Sequence, residues 1–176
     1  VAVLGDIGDI AAHSRMLDAA EAAIGPLSTL INNAGVSVLS RGDLLNVSAE
    51  SYDRCQLINT RGTFFLTQEF SRRLLDLKTE SHRSIVTVTS ANALAVSIAR
   101  GEYCISKAAV SMMSKLFAAR LSEDGIGVYE IQPGFIETDM SENVRNKAGD
   151  LIKKMIPMKR LGQPDEREWS YIRKDG

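Results

Sequence analysis

A doubly wound parallel α/β sheet with helices on both faces is the architecture that this 176-residue chain predicts, on three observations. Short β-branched runs alternate with longer segments of helical periodicity, so each crossover between strands is a helix and the strands must run parallel. The residues with chemistry to offer fall just after strand ends, where ligands of such sheets bind. A composition of 44% hydrophobic and 24% charged residues suits one globular domain, 1–176, with a real core.

Val1 to Leu4 is an apolar run ending at Gly5 and reads as a strand. From Ile10, the residues Leu17, Ala20 and Ile24 recur at helical spacing until Gly25-Pro26 stops them. Thr29-Leu30-Ile31 follows as a short buried strand closed by Asn32-Asn33-Ala34-Gly35. After a polar loop over 36–47, Ser48 is the N-cap of a long helix running to Leu77. Ser84 to Thr89 is β-branched and alternating, hence a strand. Glu102 to Glu123 holds no glycine or proline and predicts a helix, and Gly127 to Gln132 is a last strand ended by Pro133-Gly134. Asp6, Asn32 to Gly35, Ser90 and Pro133 to Met140 therefore meet along one edge.

The formal net charge of −1, with no basic stripe and no interleaved aromatics, excludes a nucleic-acid partner. The apolar run over 93–99 is too short to cross a membrane, and the first residues lack a basic segment followed by an apolar one, so a soluble cytoplasmic protein is expected. Cys55 and Cys104 fall in predicted helices without clustered histidines, as small buried hydrophobes rather than disulfide or zinc ligands, and no metal site is expected. His13 and His82 stand isolated in polar surroundings and are expected at the surface.

Chemistry concentrates in the 102–123 helix. Tyr103-x-x-x-Lys107 stacks both side chains on one helix face, a turn apart. An ammonium ~5 Å from a phenol, at an effective dielectric of ~20, favours the ionised phenol by ~3 kcal/mol. Such a tyrosine can pass a proton to or from a carbonyl oxygen. A lone pair of this kind is more often an ordinary helix with an exposed lysine, and the surrounding residues decide.

Those residues are Asn32-Asn33-Ala34-Gly35, Asn59 in Asn-Thr-Arg-Gly, Ser90 thirteen positions before Tyr103, Tyr103 with Lys107, and the run from Pro133-Gly134 to Met140. In this order the chain, from about Leu4 to Pro164, resembles the short-chain dehydrogenase/reductase family, and most its 3-oxoacyl-carrier-protein reductase branch. The resemblance implies a Rossmann-like domain and an NAD- or NADP-dependent oxidoreductase, transferring hydride between the cofactor and a carbonyl or alcohol, with a 3-oxoacyl thioester as the branch's substrate. It makes Tyr103 the acid/base, Lys107 its cationic neighbour and the holder of the nicotinamide ribose, and Ser90 the donor to the developing oxyanion. Asn59 would hold a water linking the lysine to solvent. Asp6 and Ile7 would contact adenine, Asn33, Ala34 and Gly35 the ribose, and Ile136 and Thr138 the carboxamide, with Pro133 and Gly134 also among the cofactor-binding residues.

Two departures qualify the match. The glycine-rich turn that receives the pyrophosphate in the family is missing, and Gly125-Ile-Gly127 stands between a helix and a strand, as a helix stop. Val1 to Leu4 then corresponds to the family's third strand, which would lack its neighbour, and leaves the following strand with a bare edge. The 167–176 tail is charged where the family has an apolar helix and a closing strand. The expectation is a piece of a longer chain, incomplete at both ends. The lid over the substrate would run from Glu137 to Ile156.

A catalytically silent protein that keeps the fold for oligomerisation or binding is the alternative to the enzyme. A serine hydrolase fits poorly, with no Gly-x-Ser-x-Gly. Phe64, Phe65, Leu66, Met112, Met113 and Phe117 cannot all face one sheet, so the helices at 49–77 and 102–123, which the family pairs between subunits, are expected to form a homo-oligomer interface.

Overall fold

The computed structural model describes residues 1–134, 136 and 161–162. The chain divides into two compact units, Val1–Gln132 and Pro133–Gly176. In the first, three strands form a parallel sheet in the order β1 (Thr29–Asn32), β2 (Ser84–Val88), β3 (Gly127–Ile131). The register pairs Thr29 with Ser84 and Ser84 with Gly127, so the three strands start level with one another. In the second, Ile136 makes a parallel bridge with Gly162, and Leu161 is buried.

Local chemistry sets the helix ends. Asp9 caps a 3-10 turn, Ile10–Ala12, that leads into α1 (His13–Ile24), and Gly25 at φ 86° ends it, a backbone angle that favours glycine. Ser48 caps α2 (Ala49–Cys55) by accepting the Ser51 N–H. The long helix then continues as a π-helical segment, Gln56–Gly62, before α3 (Thr63–Asp76). This segment is the main refinement of the predicted 49–77 helix. The helix α4 (Gly101–Leu121) runs through a 3-10 turn to Gly125, left-handed at φ 69°, which confirms the expected stop.

The core lies where these helices meet the sheet. Leu17 of α1, Phe70 and Leu74 of α3, Ile85 of β2, Leu121 of α4 and Ile126 form one buried cluster. Arg73 ties α1 to α3 through Asp18 and Glu21, at 2.7 and 2.8 Å. Burying each of the five aliphatic side chains of the cluster, and Phe70, is worth ~1.5–3 kcal/mol. Among the described residues no helix is long and apolar enough to cross a membrane.

Three sequence expectations are corrected. Val1 to Leu4 is not a strand: Val1 and Leu4 are 96% exposed, because an extended segment becomes a strand only against a partner, and here it has none among the described residues. Consequently β1 pairs on one side only among the described residues, and the strand expected to be buried leaves Ile31 63% exposed. His13 is buried rather than at the surface, since its Nε2 bonds the Ile7 carbonyl at 2.8 Å and fixes the chain entering α1. His82 is exposed as expected. Cys55 is fully buried, and burial, with the charge of Glu102 acting the same way against a smaller opposing effect of Arg54, pushes its thiol pKa up and keeps it unreactive. Cys104 is half-buried.

Gly62 closes the π segment against the backbone of Ile7, and a Cβ there would strike the Ile7 carbonyl oxygen. Gly62→Ala should destabilise the protein by about 1–3 kcal/mol in urea denaturation. An unchanged midpoint would show that the 5–8 turn is free to retreat.

Candidate active site

The end of the sheet gathers four stretches. The turn after β1 exposes Asn33, Ala34 and Gly35, while Asn32 is buried, its amide donating to Thr67 and Thr87. From the π segment comes Asn59, also buried. Past β2 lies Ser90, half-buried, and α4 contributes Tyr103, half-buried, and Lys107, buried.

Asn59 binds the turn as a neighbouring strand would. Its Oδ1 accepts the Val36 N–H at 2.8 Å and its Nδ2 donates to the Val36 carbonyl at 2.9 Å. The same Nδ2 donates to Ser106 Oγ at 2.9 Å, and Ser106 donates to the Tyr103 carbonyl at 2.8 Å. One amide thus links the turn after β1 to the turn of α4 that carries Tyr103. A π segment widens the helix locally and is frequent at functional sites, which gives Asn59 its reach.

Lys107 donates to the carbonyl of Val88, the last residue of β2, at 3.1 Å. A Cβ on Gly35 would lie 3.3 Å from Asn59 Oδ1 and 3.5 Å from Lys107 Nζ, so the glycine lets exposed backbone come close to a buried ammonium. The ammonium stands 5.8 Å from the Tyr103 ring centre. Burial pushes the Lys107 pKa down, because the charged form loses its water. Of its three N–H donors, one has an acceptor among the described residues. Two donors on a buried cation remain for a ligand rich in hydroxyl oxygens.

Ser90 and Tyr103 are joined through side chains that sequence reasoning missed. Ser90 Oγ accepts the Asn92 N–H at 3.1 Å, which leaves its own O–H free to donate. Asn92 Oδ1 accepts from Arg100, and the Arg100 guanidinium lies 5.2 Å from the Tyr103 ring centre. The spacing Arg100-x-x-Tyr103 was the available signal. Ser111 and Thr89 both donate to Glu130 of β3, fastening α4 to the sheet.

Asp6 and Ile7 sit in the turn before α1, where Asp6 Oδ1 accepts the Gly8 N–H at 2.8 Å and Ile7 touches Gly62 of the π segment. Pro133, Gly134 and Ile136 belong to the second compact unit. Thr138 and the expected lid, Glu137 to Ile156, lie outside the described residues. Among the described residues, no group of three or more His, Cys, Asp or Glu is placed to hold a metal.

Residues 1–171 match the sequence model of the family described as "Enoyl-(Acyl carrier protein) reductase". Nodulation protein G of Azospirillum brasilense is 31% identical over 162 residues, 92% of this chain and 64% of that protein. The (3R)-3-hydroxyacyl-CoA dehydrogenase of Rattus norvegicus is 30% identical, over 92% of this chain and 61% of its own length. A crystal structure of 3-oxoacyl-[acyl-carrier protein] reductase from Brucella melitensis in complex with NAD superimposes with a TM-score of 0.87 at 37% identity, covering 90% of this chain and 64% of that one. The chain thus spans under two thirds of the length of these relatives.

Lys107 carries a testable pH signature. Its depressed pKa means that folding is penalised while the side chain is charged, fully below the lowered value, and that the penalty fades as pH rises from there to the ordinary lysine range. Lys107→Met should therefore melt higher than the wild type near neutral pH, with the gap narrowing in alkaline buffer. A gap constant with pH would mean that the ammonium is well solvated.

Proposed function

Because the chain belongs to the short-chain dehydrogenase/reductase family, we propose that it carries the catalytic end of an NAD(P)-dependent oxidoreductase acting on a carbonyl or alcohol. The observation that carries this reading is the buried Lys107 ammonium, with two donors to spare, flanked by the Gly35 backbone and the Tyr103 ring.

These residues fit a dinucleotide. Lys107 would hold the ribose hydroxyls next to the nicotinamide, with Asn33, Ala34 and Gly35 along the same sugar and Asp6 and Ile7 toward the adenine. Pro133, Gly134, Ile136 and Thr138 would serve the carboxamide end. The bound cofactor supplies the hydride. In reduction, the Tyr103 hydroxyl gives its proton to the substrate oxygen, and in oxidation it takes the proton back. The Ser90 O–H, its lone pair already engaged by Asn92, donates to the same oxygen as negative charge develops on it. Asn59 keeps Tyr103 and the turn after β1 in register, and the water the family places there would connect Lys107 to solvent. A 3-oxoacyl thioester is the substrate that the relatives' names suggest.

The same helices offer a self-association surface. Ile105, Met112 and Leu116 of α4 are about half exposed at spacings of seven and four, and Leu57 of the π segment is 43% exposed. We assign this stripe to pairing with a second copy.

With the full-length native protein, NADH or NADPH should bind saturably by nicotinamide fluorescence, and Tyr103→Phe should keep that binding while losing ~10²-fold or more in turnover. No binding of either nucleotide would favour the silent alternative. In sedimentation, Met112→Lys with Leu116→Glu should convert an oligomer to monomer, and a wild type already monomeric at micromolar concentration would remove the interface.

A further inference from the structure

The half-buried Arg100 holds its place at a cost. Its Nε is buried without an acceptor, and the ion pairs among the described residues involve Arg72, Arg73 and Arg120 instead. An unmet buried donor is unfavourable, so other contacts must fix the guanidinium there. Two do so. Arg100 Nη2 donates to Asn92 Oδ1 at 2.5 Å, and the guanidinium carbon lies 5.2 Å from the Tyr103 ring centre. A planar cation is attracted to an aromatic ring, and its fork of donors gives the contact with the amide a direction.

Asn92 is fastened in turn. Its Nδ2 donates to the Ala95 carbonyl at 3.0 Å, and its backbone N–H donates to Ser90 Oγ at 3.1 Å. Ser90, Asn92, Arg100 and Tyr103 therefore form one chain of contacts across two 3-10 turns, Ala91–Ala93 and Ile98–Arg100. The backbone bonds of this stretch stay within each turn, Ala95 to Ala91 and Arg100 to Ser97. The Asn92 to Arg100 bond is the hydrogen bond that crosses from one turn to the other among the described residues. Between them Leu94 and Val96 are 77% and 90% exposed, so little apolar packing restrains the connection.

We propose that Asn92 and Arg100 are positioning residues, a brace that holds Ser90 and Tyr103 at a fixed separation so that both hydroxyls meet one substrate oxygen. This rests on the reading of Ser90 and Tyr103 as the donors to that oxygen. It adds two residues through which the alignment of those donors is set.

The full-length native protein tests it, with acetoacetyl-CoA and NADH or NADPH as the probes. Asn92→Ala and Arg100→Gln should each lower kcat about tenfold and leave the nucleotide Kd unchanged. Arg100→Lys, which keeps a cation for the ring and the amide, should recover part of the loss. Because the brace acts through Ser90, the same two substitutions made in Ser90→Ala should cost under about twofold more, whereas independent damage would add in full. Additive losses, or none in the single variants, would overturn the proposal. A readout without turnover separates the brace from the reading it rests on. In protein carrying fluorotyrosine, the fluorine resonance that Tyr103→Phe removes should shift in Asn92→Ala, and should not respond to Asn92→Ala once Arg100→Gln is present. That pattern in a protein inert toward the thioester would sink the proton-donor reading and leave the brace standing. Turnover with an unmoved resonance would do the reverse.

Discussion

The side-chain amide of Asn59 is the constraint on which the rest of the site depends. It uses both of its ends on the backbone of Val36 and reaches Ser106 as well, so the turn after β1, the long helix and α4 share one fixed point. Without it, the Gly35 backbone would lose the two bonds on Val36 that hold it beside Lys107, and the loop would keep its anchors further on, at Ser37 and Leu39. The amide is buried, so an unmade bond there would leave polar groups without water, and the arrangement is strongly specified.

The unit is built more from satisfied polar groups at this end than from apolar ones. Asn32, Ser51, Thr67, Glu102, Ser106 and Ser111 are all buried and all bonded, whereas the aliphatic cluster lies around Phe70 and Leu74. The buried ammonium of Lys107 is the least comfortable member, kept by one carbonyl. Its cost is the counterpart of its use, since a cation stripped of water interacts more strongly with whatever oxygen reaches it.

Much of this was legible in the residues. Ser48, Gly25 and Gly125 mark helix ends by local chemistry, and the alternation of β-branched runs with helical periods gives the parallel order β1-β2-β3. Tyr103 and Lys107 are a turn apart on any helix. The site features that escaped notice arise from tertiary packing. The π segment has the same apolar spacing as an ordinary helix would, so periodicity is blind to it. The burial of His13 depends on the Ile7 carbonyl folding back over the helix start. Val1 to Leu4 has a strand's composition, but pairing requires a neighbour as well as a propensity.

The π segment has one further consequence. Each residue of an α-helix advances about 100° around the axis, so one extra residue accommodated over Gln56–Gly62 acts as a phase shifter between α2 and α3. The two halves of the long helix can then obey different partners, Asn59 aimed at the loop after β1 and Phe70 and Leu74 at the aliphatic cluster. Losing a single residue there would swing one half out of step with the other by about 100°.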